Sequence, residues 1–379
     1  TERYVMDPMT YAGSGVNYDA MDPFKRAAQL AGLETAENII HFSGGEFCEV
    51  ERSRGESCYL IETARSYLAH VEEGLGTKNL VADAMYRLTG RSYYDRIAQD
   101  TVATIVNDMI TLGARPLSVA MHLAVGDSKW FADEKRCRDL IEGWKRACNL
   151  ARCAWGGGET PTLKGIVAPE TVVLSGSAIG IVKPKERLIR TYNIRHGDAI
   201  VFFESSGIHA NGISMARDIA AKLPEGYQTK INSWFTFGEA LLIPTHLYVE
   251  AMMACLDRAI DIHYGVNVTG HGWRKLMRAN TPEPLAYAIE TLPPALAIFR
   301  FIQEQGPVTE REMYSTFNMG AGFAVYVAPH DVEAVIAAVT ATTSSFRAFH
   351  AGRIERSDRK RVIIKPLGIE FDESELGVR

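Results

Sequence analysis

Between Val71 and Lys78 the chain reads Val-Glu-Glu-Gly-Leu-Gly-Thr-Lys, with acidic side chains, two glycines, a hydroxyl and a lysine in eight residues. Gly74 and Gly76 let backbone amides come close to a phosphate. Lys78 supplies a point positive charge, the Thr77 hydroxyl can reach a cation or a phosphate oxygen, and Glu72 and Glu73 attract Mg2+. This is not the Walker loop, which needs four residues between its glycines and a Lys-Ser/Thr pair at its end. Alone, the stretch reads first as an ordinary polar turn before a helix. Four further unusual stretches point to the same chemistry.

Chemistry of this kind needs elements that hold the loops. From about Phe42 the pattern alternates strand and helix. Tyr59–Glu62 and Ser66–Val71 read as strands, the second running into the glycine loop, and Asn79–Arg87 reads as a helix. Asp95–Leu112 is the clearest helix: at about 100° per residue, Ala98, Val102, Ile105, Val106 and Met109 share one stripe. Gly113 and Pro116 stop it. Its other face carries Asp100, Thr104, Asn107 and Thr111, with Asp108 at the border. Short polar side chains are poor helix formers, so this line is either a metal–phosphate contact or a solvated face. Leu117–Val125 reads as a strand and Glu134–Leu150 as an amphipathic helix. The run from Ala154 to Pro161, with three glycines before Glu159 and Thr160, reads as a ligand-approaching loop. Val172–Val182 is a long strand, and Lys183-Pro-Lys-Glu is the best domain boundary.

The second half opens on a buried strand, Asp198–Phe203, then a Ser/Gly loop to Gly212 and a helix, Ile213–Leu223. A strand, a glycine loop and a helix N-terminus together make an anion site. His209 and Asn211 are placed to touch what binds there, His209 as a proton-transfer candidate or as a loop-stabilising residue. A proline enters a helix within Ala240–Val249. Val268–Trp273 repeats the strand–glycine–helix theme, and Tyr314–Phe323 is a further glycine loop ahead of the strand Ala324–Val327. The helix Val332–Thr340 and a last strand, Arg361–Ile364, close the domain. Ahead of all this, Tyr11–Asp19 reads as a flexible arm, followed by a short amphipathic segment, Pro23–Ala31.

A length of 379 residues suggests two domains, and 46% hydrophobic with 23% charged residues is ordinary for a soluble protein. A net charge of −5 argues against nucleic acid as a partner. The basic run Arg353–Arg361 is broken by Glu355 and Asp358 and reads as solvated surface. Cysteines 48, 58, 137, 148, 153 and 255 form no C-x-x-C pair, which argues against zinc or a disulfide framework and predicts buried free thiols in a reducing compartment. No secretory h-region and no run of 18 apolar residues is visible, so a cytoplasmic, non-membrane protein is expected.

Taken in order, these loops resemble the aminoimidazole ribonucleotide synthetase family (phosphoribosylformylglycinamidine cyclo-ligase), whose superfamily includes selenophosphate synthetase and thiamine-monophosphate kinase. The matching stretches are Tyr11–Asp19, Gly74–Lys78, Asn107-Asp108 with Gly113–Pro116, Gly157–Thr160, Ser205–Gly212, Pro244-Thr245, Thr269–Gly272, Glu312–Gly322 and Arg361-Val362. The Glu312–Gly322 motif is close to specific for the cyclo-ligase branch.

The resemblance implies an α/β (α+β) protein of two domains. An arm (1–41) would lie over the nucleotide, an N-terminal ATP-binding domain (42–184) would dimerise through its sheet into a barrel, and a two-layer C-terminal domain (185–379) would bind substrate and phosphate. It implies ATP and Mg2+, a ribonucleotide substrate and a homodimer. Glu73 and Asp108 would hold the metal, and Lys78, His209 and Asn211 would act in catalysis. The implied nucleotide contacts are Gly13, Gly15, Val16 and Asp19 in the arm, then Gly74, Gly76, Thr77, Lys78 and Asn107. They continue with Gly157, Gly158, Glu159 and Thr160, then Ser206, Gly207 and Gly212, and finally Asn318 and Gly320. In the family reaction ATP phosphorylates an amide oxygen of formylglycinamidine ribonucleotide, and a neighbouring nitrogen displaces phosphate to close the imidazole ring. The chain departs from the family pattern at Glu72-Glu73 (Thr-Asp), Ala210 (Ser), Pro161–Lys164 (loss of a second carboxylate) and His271 (Gly). A paralogue that phosphorylates a different small substrate, or an idle nucleotide-binding protein, are the other readings these departures allow.

Overall fold

The computed structural model describes residues 8–377. Two helices come first, α1 (Tyr18–Leu33) and α2 (Glu37–Ser43). The Asn17 side chain accepts from the Asp19 N–H at 3.0 Å, so α1 starts well ahead of the Pro23–Ala31 segment that periodicity marks. This helix is inverted. Tyr18, Asp22, Lys25 and Gln29, spaced on one face, turn toward the protein, while Met21, Phe24, Leu30 and Leu33 stay exposed.

The first sheet comprises β1 (Cys48–Glu49), β2 (Tyr59–Glu62), β3 (Tyr67–Gly74), β4 (Arg115–Val125), β5 (Ala154–Glu159) and β6 (Val172–Val182), in the order β1-β2-β3-β6-β4-β5. Helices α3 (Lys78–Thr89), α4 (Tyr94–Met109) and α5 (Glu134–Leu150) belong to this half. Along β3 buried and exposed residues alternate from Tyr67 to Glu72, as a sheet with one covered face requires. On the other face Leu68, Val173 and Ile179 are exposed, Ile179 to 56%.

The second sheet comprises β7 (Ala199–Glu204), β8 (Ile262–Asn267), β9 (Leu285–Ile289), β10 (Ala321–Val327), β11 (Ala348–Arg356), β12 (Arg361–Ile364) and β13 (Ile369–Asp372), in the order β13-β12-β9-β11-β7-β10-β8. Its helices are α6 (Ile213–Lys222), α7 (Phe237–Leu241), α8 (Val249–Asp257), α9 (Ala297–Gln305), α10 (Glu310–Thr316) and α11 (Val332–Thr342). Here β8, β9 and β10 are buried along their whole length. Such strands read as unbroken apolar runs without alternation, which is why β9 escapes a periodicity argument.

Three expectations about local structure need correction. The Ala154–Pro161 run is mostly not a loop: residues 154–159 form edge strand β5, parallel to β4. Gly158 is required there because a Cβ would stand 2.2 Å from the Met121 carbonyl oxygen. Pro244 does not enter a helix but lies in the turn between α7 and α8. The first part of the Tyr314–Phe323 run, to Thr316, is the end of helix α10. All six cysteines are free, but only Cys58, Cys148 and Cys255 are fully buried.

Candidate functional site

A polar cleft of about 400 Å³ opens between the two sheets' domains and beneath α1. Strand β3 delivers Glu72, Glu73 and Gly74 to it at its C-terminal end. Helix α4 contributes Thr104 and Asp108, four residues apart and therefore on one face. The second domain supplies Asn211 from the loop before α6, and Thr269, His271, Lys275 and Arg278 from the segment after β8. Tyr18, Lys25 and Gln29 of α1 form the roof.

Charge is concentrated on the floor. Asp108 is buried and accepts a hydrogen bond from Asn267 Nδ2 at 2.8 Å. Burial, together with the Asp108 carboxylate beside it, pushes the Glu73 carboxyl up to about 8. Two carboxyl groups forced together in this way store a proton that a divalent cation can replace, and an all-oxygen pair suits a hard ion such as Mg2+. Among the described residues no cluster of three or more His, Cys, Asp or Glu could hold a metal. A cation here would therefore draw its other ligands from water and phosphate oxygens, as Mg2+ at phosphoryl-transfer sites does.

His271 is buried at the roof and adopts a left-handed backbone, φ 69°. Its ring stacks on Tyr18 with centroids 3.7 Å apart, fastening α1 to the second domain. Burial, reinforced by Arg274 and Lys275, brings the imidazole down to about 3, so it is neutral at physiological pH. Among the described residues its Nε2 has no hydrogen-bond partner. Asn211, also on the cleft, makes no side-chain hydrogen bond among the described residues and presents both a donor and an acceptor.

Of the residues that the family resemblance implies as metal, nucleotide or catalytic contacts, the cleft brings together Glu73, Gly74, Asp108 and Asn211, beside Glu72, Thr104, Thr269 and His271 from the other marked stretches. The remaining implied contacts lie elsewhere. Lys78 is completely buried, with Nζ donating to the carbonyl oxygens of His209 at 2.7 Å and Ile243 at 3.1 Å and standing 2.8 Å from Asp100 Oδ2. That last contact is an ion pair without the direction of a hydrogen bond. Asp100 Oδ1 in turn accepts from the Thr245 backbone N–H and hydroxyl. Lys78 and Asp100 thus form a strut between domains, and Lys78 offers nothing to a phosphate in this arrangement.

Asn107 is likewise structural, bonded to the His246 carbonyl and the Tyr248 N–H at 2.8 and 2.9 Å. The polar line on α4 is neither solvated nor wholly for ligand: Asp100 and Asn107 dock the second domain, and Thr104 and Asp108 face the cleft. His209 is buried, and its Nε2 accepts from the Ser206 N–H at 3.3 Å. Burial holds its ring well below the usual histidine range, with His246 and Lys78 adding to the effect. It is a loop-stabilising histidine here. Ser206 Oγ donates to the Pro244 carbonyl, and Asn318 braces the loop through Ser205 Oγ, Gly207 O and the Gly320 N–H. Gly212 is needed because a Cβ would meet the Phe317 ring at 2.1 Å.

Gly76 and Thr77 form the turn into α3. The exposed residues Gly157 and Gly158, and Glu159 with Thr160 after them, lie at the sheet edge. In register, Glu159 aligns through His122 and Ser175 with Gly74, three strand spacings or about 14 Å away. Gly13, Gly15 and Val16 sit by a turn that packs on α6, with Tyr11 N–H bonded to Glu312, and Asp19 is exposed.

Lys275 and Tyr18 are cleft residues that the sequence reading did not single out. For Lys275 the sequence carries no signal: it follows Arg274 between Trp273 and Leu276, and a basic pair there reads as solvated surface.

The description "AIR synthase related protein, N-terminal domain" matches residues 55–182, and its C-terminal-domain counterpart matches residues 195–365. A phosphoribosylformylglycinamidine cyclo-ligase of Methanothermobacter thermautotrophicus is 35% identical over 330 residues, 86% of this chain and 89% of its own. One of Carboxydothermus hydrogenoformans is 30% identical over 364 residues, 94% and 99% of the two chains. Among solved structures, hydrogenase maturation protein HypE in complex with ATP gives a TM-score of 0.56 at 16% identity, over 73% of this chain and 78% of that one. AaThiL complexed with AMPPCP and TMP gives 0.53 at 15%, over 84% and 90%. At such identities these two structures share the fold.

Proposed function

The chain belongs to the AIR synthase related family, and we propose that it acts as a phosphoribosylformylglycinamidine cyclo-ligase that uses ATP and Mg2+. The observation that carries this reading is the cleft itself. It sets a carboxylate pair, Glu73 and Asp108, among cationic and neutral hydrogen-bonding groups from the other domain, in a space suited to a nucleotide's phosphates and a small acceptor. The relatives' resemblance runs through both domains that build it.

Phosphoryl transfer asks a protein chiefly for positioning and charge stabilisation. Glu73 and Asp108 would hold Mg2+, which when bound neutralises phosphate charge. Asn211 and Thr269 present hydrogen-bonding groups that orient the acceptor amide. Neutral His271 can hold a donor or an acceptor toward the substrate without adding charge. Helix α1, pinned by the Tyr18–His271 stack, keeps water from the activated intermediate until the ring nitrogen has displaced phosphate. The same reading places the enzyme in the cytoplasm.

The test is ADP release from ATP–Mg2+ with and without formylglycinamidine ribonucleotide. Strong stimulation, with aminoimidazole ribonucleotide as product, is expected. ATP binding without any stimulation would instead mean that another acceptor has replaced that ribonucleotide.

A homodimer belongs to this proposal. Leu68, Val173 and Ile179 leave an apolar patch on the outer face of the first sheet, and a second copy covering it would bury that surface. Ile179→Asp should shift the light-scattering mass from dimer to monomer. An unchanged dimer would place the interface elsewhere.

A further inference from the structure

We infer that Lys275 is the fixed positive charge that touches the phosphoryl group as it moves through the cleft, an inference that rests on the cleft being the phosphoryl-transfer site. Lys275 comes from the second domain and is only 7% exposed. Its ammonium donates to Thr269 Oγ1 at 2.5 Å, and among the described residues this is its one hydrogen bond. Among the described residues it forms no direct ion pair; burial pulls its ammonium below the usual lysine range, and the Asp108 and Glu73 carboxylates on the same cleft oppose that loss of charge. An ammonium so buried and so sparsely bonded is costly unless something completes its shell. Two of its protons remain for an anion on the cleft side.

The neighbouring cations are already committed. Lys78 is spent within the interdomain strut. Arg278 uses Nε, Nη1 and Nη2 on Gly55 O and Ser57 Oγ. Lys25 leans on Asp22 at 3.4 Å. Among the described cations lining the cleft, Lys275 alone combines burial, an open donor set and a place on the same cleft as the carboxylate pair.

An anion between Lys275 and a cation held at Glu73 and Asp108 would be neutralised from both sides. In the step itself the bond from the terminal phosphorus to the bridging oxygen of ADP breaks, with its electron pair going to ADP, and a bond from phosphorus to the amide oxygen forms. Lys275 stays protonated and transfers nothing. When the substrate nitrogen then attacks carbon, its proton passes to solvent, the carbon–oxygen bond breaks with its electron pair going to the departing phosphate, and Lys275 meets that leaving charge.

The experiment compares the full-length protein with Lys275→Met and Lys275→Gln, the latter keeping a donor for Thr269. Both variants should lower kcat about 10²- to 10³-fold, with little change in the KM for the ribonucleotide. Binding of ADP alone should be unchanged, while trapping of ADP with aluminium fluoride, which mimics the phosphoryl group in flight, should be lost. If either folded variant keeps the wild-type kcat and still traps ADP–aluminium fluoride, the inference is overturned. A raised ribonucleotide KM with kcat retained would overturn it too, because Lys275 would then serve the substrate's own phosphate. Failure of the cyclo-ligase reading shows separately, as absence of stimulation in the wild-type protein, and the trapping comparison stands without that substrate.

Discussion

Asp108→Asn is expected to cut phosphoryl transfer by about 10²- to 10³-fold while leaving the fold intact. The carboxylate is buried on α4, and one of its oxygens accepts from Asn267 Nδ2 at 2.8 Å. Asparagine keeps an oxygen for that bond and nearly the same volume, so packing should hold. It removes the negative charge, and with it half of the carboxylate pair that would grip a divalent ion. The readout is twofold: turnover, and Mn2+ affinity followed by its paramagnetic resonance signal. Both should fall together, and Glu73→Gln should do the same. If Mn2+ affinity is retained in both variants, the cation is held elsewhere and the assignment of Glu73 and Asp108 fails.

Lys78→Met should have the largest effect on stability, roughly 3–5 kcal/mol, the loss typical of removing one partner from a buried ion pair. The ammonium is fully buried between Asp100 and the carbonyls of His209 and Ile243. Without it, Asp100 keeps its charge in a place water cannot reach, and two carbonyls from the second domain lose their donor. Burial pushes the Lys78 and Asp100 groups each toward the neutral form, and their mutual contact opposes that. Removing both charges in Lys78→Met/Asp100→Asn should therefore recover much of the loss, since the amide oxygen still accepts from Thr245. Denaturant midpoints measure both. A Lys78→Met protein of wild-type stability that no longer bound ATP would show that Lys78 reaches the nucleotide after all.

These two expectations separate residues that the sequence places side by side. The Glu73–Lys78 stretch reads as one phosphate loop, yet Glu73 ends β3 on the cleft and Lys78 starts α3 facing away from it. A few residues of turn were enough to send two charged groups to different neighbourhoods. Along α4 the helical period correctly sets Asp100, Thr104, Asn107 and Asp108 on polar surface. Which of them meet ligand depends on where the loop at Thr245–Tyr248 of the second domain docks, and no local pattern encodes that. The Ala154–Glu159 run does not read as a strand because glycines are poor strand formers; their reasons are tertiary, the close approach of Ser118 at Gly156 and of Met121 at Gly158, and a φ of 144° at Gly157.

By itself the sequence determined most of the alternation of strands and helices, the division into two α/β halves and the family to which its glycine-rich stretches point. All of that follows from periodicity, turn chemistry and residue types at short spacing, which act over a few residues. Tertiary structure alone decided that Lys275 rather than Lys78 faces the cleft, that His209 and Asn318 brace a loop, and that α1 turns a polar face inward as a roof. Those outcomes depend on burial and on charges brought together from opposite ends of the chain. A lysine's role is set by how many of its protons find protein partners: Lys78 meets its carbonyl partners only where the second domain docks, whereas Lys275 finds Thr269 within its own segment and keeps the rest for the cleft.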